Sequence, residues 1–159
     1  MSAGDRTAPL EGGAGWERFE AEGGVGLQAR GESLADVLAR AALGMFALAA
    51  GPPGPEAADV REVRAHADSL EGLLVNWLNE CLYVHDVEGF VAGRVEFAAL
   101  DASPRTGGEP FRLHGFLHGE EVDPGSHPAR LSVKSVRARG ASLTEVAGGL
   151  EARVVLEIG

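Results

Sequence analysis

His114 and His118 stand four residues apart in "PFRLHGFLHGE", with Glu120 just beyond them. Two imidazoles and a carboxylate are a ligand set that zinc accepts. The segment alternates as a strand, however, and strand residues four apart are separated by about 13 Å at ~3.3 Å per residue, too far for one ion to bridge without a bend. These residues read better as the polar face of a sheet, and independent metal-dependent hydrolysis through His114 and His118 is disfavoured. His85 in "YVHDVEG" falls near a helix C-terminus, where the dipole favours a cation, and capping accounts for it. His66 and His127 flank loops without evident partners. No Ser-His-Asp or Cys-His order stands out, so the residues give little support to an independent enzyme.

Two single residues need separate treatment. Cys81 is the only cysteine; it has no internal disulfide partner and falls on the apolar side of a helical pattern, which makes it a small buried hydrophobe rather than a nucleophile. Lys134 is the one lysine among 14 basic residues. Arginine brings a planar fork of donors and a fixed charge, whereas lysine brings a compact ammonium on a flexible stem. A chain that uses arginine elsewhere and lysine once raises the question of what arginine cannot do at position 134.

The chain's 159 residues, 45% hydrophobic and 24% charged, fit one soluble domain able to bury a core. A formal charge of −10 opposes direct nucleic-acid binding, which draws on phosphate neutralisation by clustered Lys and Arg. Any RNA role would run through a protein partner. No apolar run approaches the ~18 residues that span a bilayer, and no basic-then-apolar leader opens the chain. A cytoplasmic protein without membrane attachment is the expectation. Residues 1–15, rich in Gly, Ala, Ser, Thr and Pro, read as a disordered leader before a single domain at 16–159.

The elements that must position these side chains follow from periodicity. Residues 16–30 read as a strand with a glycine-loosened entry, Val25, Leu27 and Ala29 alternating with Gly24, Gly26, Gln28 and Arg30. "GESLAD" offers Ser33 as a helix cap with Asp36 three residues later, and Leu34, Val37, Leu38, Ala41, Ala42, Met45, Phe46 and Leu48 recur at helical spacing until "GPPGP". A short charged β-like segment around Val60 to Ala67 leads to Asp68 or Ser69 as the next cap. The stripe Leu70, Leu73, Leu74, Trp77, Leu78, Cys81 and Leu82 then forms a second helix stopped at Gly89, with Asn76, Asn79 and Glu80 on its wet face. Four period-two stretches follow, with turns expected at 101–110 and 123–128. Two helices inserted before a run of strands predict an α+β fold, mainly an antiparallel sheet packed against two helices, and nucleotide-binding fingerprints are absent.

The succession "GESLADVLARAALGMFALA", "DSLEGLLVNWLNECLYVHDVEGF", "VKSV" and a terminal "VVLEI" resembles the archease family over nearly the whole domain; the second helix is its most specific part. The resemblance implies an accessory protein, not an enzyme, that helps a GTP-dependent RNA ligase acquire its covalent guanylate and turn over in tRNA splicing or RNA repair. It also implies a functional cluster: an aspartate in a "HTAD" box, a lysine on a late strand, and a C-terminal aspartate that shares a divalent ion with the first.

By that resemblance Lys134 takes the lysine's place, Glu157 the C-terminal aspartate's, and Ile158 supplies a backbone carbonyl. Gly24 stands at the box aspartate, and Ala138 and Arg139 replace a tyrosine-histidine pair. A calcium-like ion wants several oxygen ligands, so the loss at Gly24 weakens the site unless Glu22, two residues away along a strand, substitutes. The ammonium of Lys134 would then serve a phosphate of the partner's nucleotide. The rival reading is a degenerate archease-fold binding or scaffold module without metal-dependent activity.

Overall fold

The computed structural model describes residues 12–13, 15–54, 57–102, 111–123 and 130–159. Helix α1 (Leu34–Ala50) starts on Ser33, whose Oγ accepts the Asp36 backbone N–H at 3.1 Å, and stops at Gly51. Helix α2 (Leu70–Glu88) is built alike: Ser69 Oγ accepts from Gly72 N–H at 2.9 Å, and Gly89, at φ 68°, ends it in the left-handed region. The side-chain caps satisfy amide groups that lack a partner in the first turn. Both helices therefore begin and end where the sequence signals them.

The described residues hold nine strands beside the helices: β1 (Gly12–Gly13), β2 (Trp16–Ala21), β3 (Gly24–Gly31), β4 (Asp59–Ala67), β5 (Phe90–Asp101), β6 (Phe111–Glu121), β7 (Val133–Val136), β8 (Ser142–Val146) and β9 (Gly149–Ile158). They form two antiparallel sheets. In the larger, the order is β1-β2-β3-β9-β7, and β8 also pairs with β9. One side of β9 lies along β3, while its other side is shared, β8 taking its first half and β7 its end. The smaller sheet has the order β4-β6-β5. Alternation puts Val25, Leu27, Ala29, Ala152, Val154 and Leu156 inward, where they join the buried faces of α1 and α2 in one apolar core. Trp77, fully buried, ties the helices together by donating its indole N–H to the Leu38 carbonyl at 2.8 Å. The α+β class and the packing of antiparallel strands on two helices are as the sequence predicts.

Three local expectations change. The single strand over 16–30 is a hairpin, with β2 and β3 joined by the two-residue turn Glu22-Gly23 and Ala21 paired to Gly24. Gly23 adopts φ 77°, a backbone state that costs glycine nothing. Among the described residues five strands, not four, follow α2, because residues 142–158 fold back on themselves through a turn at Ala147-Gly148 to make β8 and β9. Part of the expected leader is ordered: Gly12 and Gly13 pair with Glu17 and Trp16, and the Gly15 carbonyl accepts from Arg30 N–H at 2.8 Å. Residues 1–11 and 14, most of the two expected turns at 101–110 and 123–128, and His127 lie outside the described residues. No helix of the described residues is long and apolar enough to cross a membrane.

Candidate functional site

The end of the larger sheet brings together residues that are far apart in sequence. Gly24, Glu157 and Ser135 are register neighbours across β3, β9 and β7. Their neighbours Val25, Leu156 and Val136 are buried, so these three face outward by alternation. Glu157 is held there: its Oε1 accepts from Ser135 Oγ at 2.9 Å, and its Oε2 lies 3.6 Å from Arg137 Nε. The Arg137 guanidinium reaches across to the hairpin turn, donating from Nη1 to the Glu22 carbonyl at 3.2 Å and from Nη2 to the Gly23 carbonyl at 2.9 Å.

Lys134 sits between Val133 and Ser135, where the register of β7 against β9 is broken by a bulge. The side chain is exposed, and among the described residues its ammonium has no hydrogen-bond or ion-pair partner. Gly159 lies against its aliphatic stem. A bulge re-aims the side chain it carries, and here that side chain is a mobile point charge one residue before Ser135, the partner of Glu157. Ile158 is the register partner of Val133.

Helix α2 fixes this edge. Asn79 Nδ2 donates to the Val136 carbonyl at 3.0 Å, and Asn79 Oδ1 accepts the Val136 N–H at 2.9 Å. Asn76 likewise donates to the His66 carbonyl at 2.8 Å. Neither asparagine is merely part of a wet helix face; each binds a strand's backbone.

A divalent ion between β3 and β9 would draw on Glu157, the Ile158 carbonyl and Glu22. The residues present do not fit that role. Glu22 lies in the turn, so the strand alternation that would align it with the Gly24 face does not operate. Gly24 offers no carboxylate, and a Cβ there would fall 2.3 Å from the Leu156 carbonyl oxygen. The Arg137 guanidinium faces the turn carbonyls and Glu157 itself. At an effective dielectric of about 20 and ~4 Å, a dication's attraction to Glu157 and its repulsion by Arg137 are each of order 8 kcal/mol, with opposite signs. The guanidinium therefore offsets the attraction that Glu157 alone would exert on it. Among the described residues no group of three His, Cys, Asp or Glu is placed to hold a metal.

The two histidines of β6 are served separately, each by a carboxylate on a different neighbouring strand. His114 Nε2 meets Glu62 Oε2 of β4 at 2.5 Å, and His118 Nε2 meets Glu96 Oε1 of β5 at 2.9 Å. This is the polar sheet face that strand spacing predicts. His85, in the last turn of α2, sets Nδ1 3.0 Å from the Phe90 carbonyl, a contact that requires the proton on Nδ1. Burial pushes the Cys81 thiol well above its ordinary pKa, with the charge of Glu80 adding to the effect; this is an inert thiol.

Sequence reasoning gives Arg137 no role and places Asn79 only on a wet helix face. Arg137 lies in "VKSVRARG", but its partners are two carbonyls more than a hundred residues away, and backbone acceptors leave no trace in residue types.

Fold and site together define a two-helix α+β domain whose polar cluster sits at one sheet end and carries no catalytic triad or metal cluster among the described residues. Comparison with known proteins narrows the class. Residues 16–158 match the Archease protein family (MTH1598/TM1083), and the chain belongs to that family. It is similar to protein archease of Methanothermobacter thermautotrophicus, 31% identical over 91% of this chain and 99% of that protein. Protein archease of Methanosarcina mazei is 31% identical over 90% of this chain and 95% of that protein. The solution structure of Methanobacterium thermoautotrophicum protein 1598 superposes with a TM-score of 0.76 at 30% identity, covering 91% of this chain and 99% of that one.

Proposed function

We propose that this protein is a cytoplasmic accessory factor of a GTP-dependent RNA ligase, promoting guanylylation and turnover of the ligase in tRNA splicing or RNA repair. It catalyses no reaction alone and meets RNA only through the ligase, since a charge of −10 repels phosphate backbones. Lys134 carries the accessory role, its ammonium approaching a phosphate of the ligase-bound nucleotide, where a positive charge offsets developing negative charge.

The observation that supports this reading is the placement of the chain's one lysine: exposed on a bulge, without an ionic partner among the described residues, one residue before the Ser135 that binds Glu157. Arg30 and Arg61 are held in ion pairs with Glu151 and Glu88, whereas the ammonium of Lys134 is available to a partner. A second reading, a scaffold module of the same fold, is favoured by the missing carboxylate at Gly24. Multiple-turnover ligation by the RNA ligase of the same cell, with GTP and a divalent metal, separates the two. Stimulation by the parent protein that falls at least tenfold in Lys134→Ala supports the accessory role. Absence of stimulation sinks it in favour of the scaffold, and equal stimulation by the variant removes the role given to Lys134.

A further inference from the structure

We infer that Arg137 is the resident cation of this sheet end, and that the protein works there without a divalent ion. Three guanidinium nitrogens each face a different oxygen: Nη1 the Glu22 carbonyl, Nη2 the Gly23 carbonyl, and Nε the Glu157 carboxylate. Two backbone carbonyls and a carboxylate are the oxygen types that a hard dication gathers. Here a planar fork of donors gathers them instead.

The surroundings are shaped to the guanidinium. Gly23 is constrained by its φ of 77°, and a Cβ there would lie 2.6 Å from Arg137 Nη2, so the guanidinium would have to shift to admit one. Gly24 is constrained by the close approach of β9, so a carboxylate cannot be restored at position 24 without moving the Leu156 carbonyl or β3. The backbone from which Arg137 projects is anchored on both sides: its N–H donates to the Val155 carbonyl at 3.0 Å, and Val136 before it is held by Asn79. Arg137 therefore joins the β2–β3 turn to the end of β9, a cross-link that a bound ion would otherwise have to make. The ammonium of Lys134, without a hydrogen-bond or ion-pair partner among the described residues, remains available to a partner.

This inference is independent of the ligase reading and is tested on the isolated protein. Calorimetric titration with calcium and with magnesium is expected to give no saturable heat, and the melting temperature is expected to be the same in chelator and in millimolar calcium. Arg137→Ser, which frees the three oxygens, is expected to melt below the parent and to gain a rise in melting temperature with calcium. Arg137→Lys, which keeps the charge but loses the fork, is expected to fall between them in chelator. Saturable calcium or magnesium binding by the parent, reversed by chelator, overturns the inference. So does an Arg137→Ser protein that melts as the parent does with and without calcium.

Discussion

Asn79 on α2 makes to Val136 on β7 both hydrogen bonds that a neighbouring strand would make, donating to its carbonyl and accepting its N–H. β7 is the last strand of its sheet, and an unpaired edge leaves backbone groups that must find partners elsewhere. A helix side chain supplies them here, at the residue between the Lys134 bulge and Arg137. Asn79→Ala leaves both Val136 groups without that partner at a half-buried position, and a loss of about 2 kcal/mol is expected. Urea unfolding measures it, and amide exchange at Val136 should accelerate more than exchange in β3.

The helices were legible because their signals are local. Ser33 and Ser69 cap within three residues of themselves, and the apolar stripe of α2 contains Trp77, Leu78 and Cys81, all fully buried. The hairpin at Glu22-Gly23 is not legible because β2 shows no burial alternation of its own and Glu-Gly is not one of the strong two-residue turn signals. Lys134 is readable from its residue type as the chain's one lysine, and its side chain is exposed. The cross-link through Arg137 was not readable, since two of its three partners are main-chain oxygens brought close only by the pairing of β9 with β3.

Trp77 offers a test of how the helices are joined. Its ring is fully buried, tilted against Phe97 at a 5.1 Å centroid separation, and its N–H reaches the Leu38 carbonyl. Trp77→Phe removes the hydrogen bond and leaves a void that packed neighbours close only in part. A loss of about 2–3 kcal/mol is expected, from the sum of a hydrogen bond and a partial cavity. An unchanged denaturation midpoint would show that the α1–α2 tie carries little of the stability.

Cys81 is expected to be silent in the native state. It is fully buried and its thiol is held protonated at neutral pH by desolvation and, secondarily, by Glu80. A chromogenic disulfide reagent should therefore react only as fast as the protein unfolds, and at once in denaturant. Cys81→Ser buries a hydroxyl where a thiol packs as a hydrophobe, with an expected cost of about 1–3 kcal/mol. Rapid native labelling would contradict the burial on which both outcomes rest.

Glu62 gives the acid limb of stability a defined sign. Its hydrogen bond to His114 first, then its hydrogen bond to Arg64, holds its carboxyl below the ordinary glutamate value. A carboxylate whose folded pKa is depressed stabilises fully above its unfolded value of about 4.3, and loses that contribution as pH falls through the lower folded value. Glu62→Gln should therefore be less stable than the parent at pH 7, with the difference shrinking as pH falls below the unfolded glutamate value. The group is fully exposed, so the effect is small and shrinks further in high salt. Urea midpoints of the two proteins, compared between pH 3 and pH 7 in low and high salt, check it: a gap that widens on acidification would mean that His114 draws no stabilising contact from Glu62.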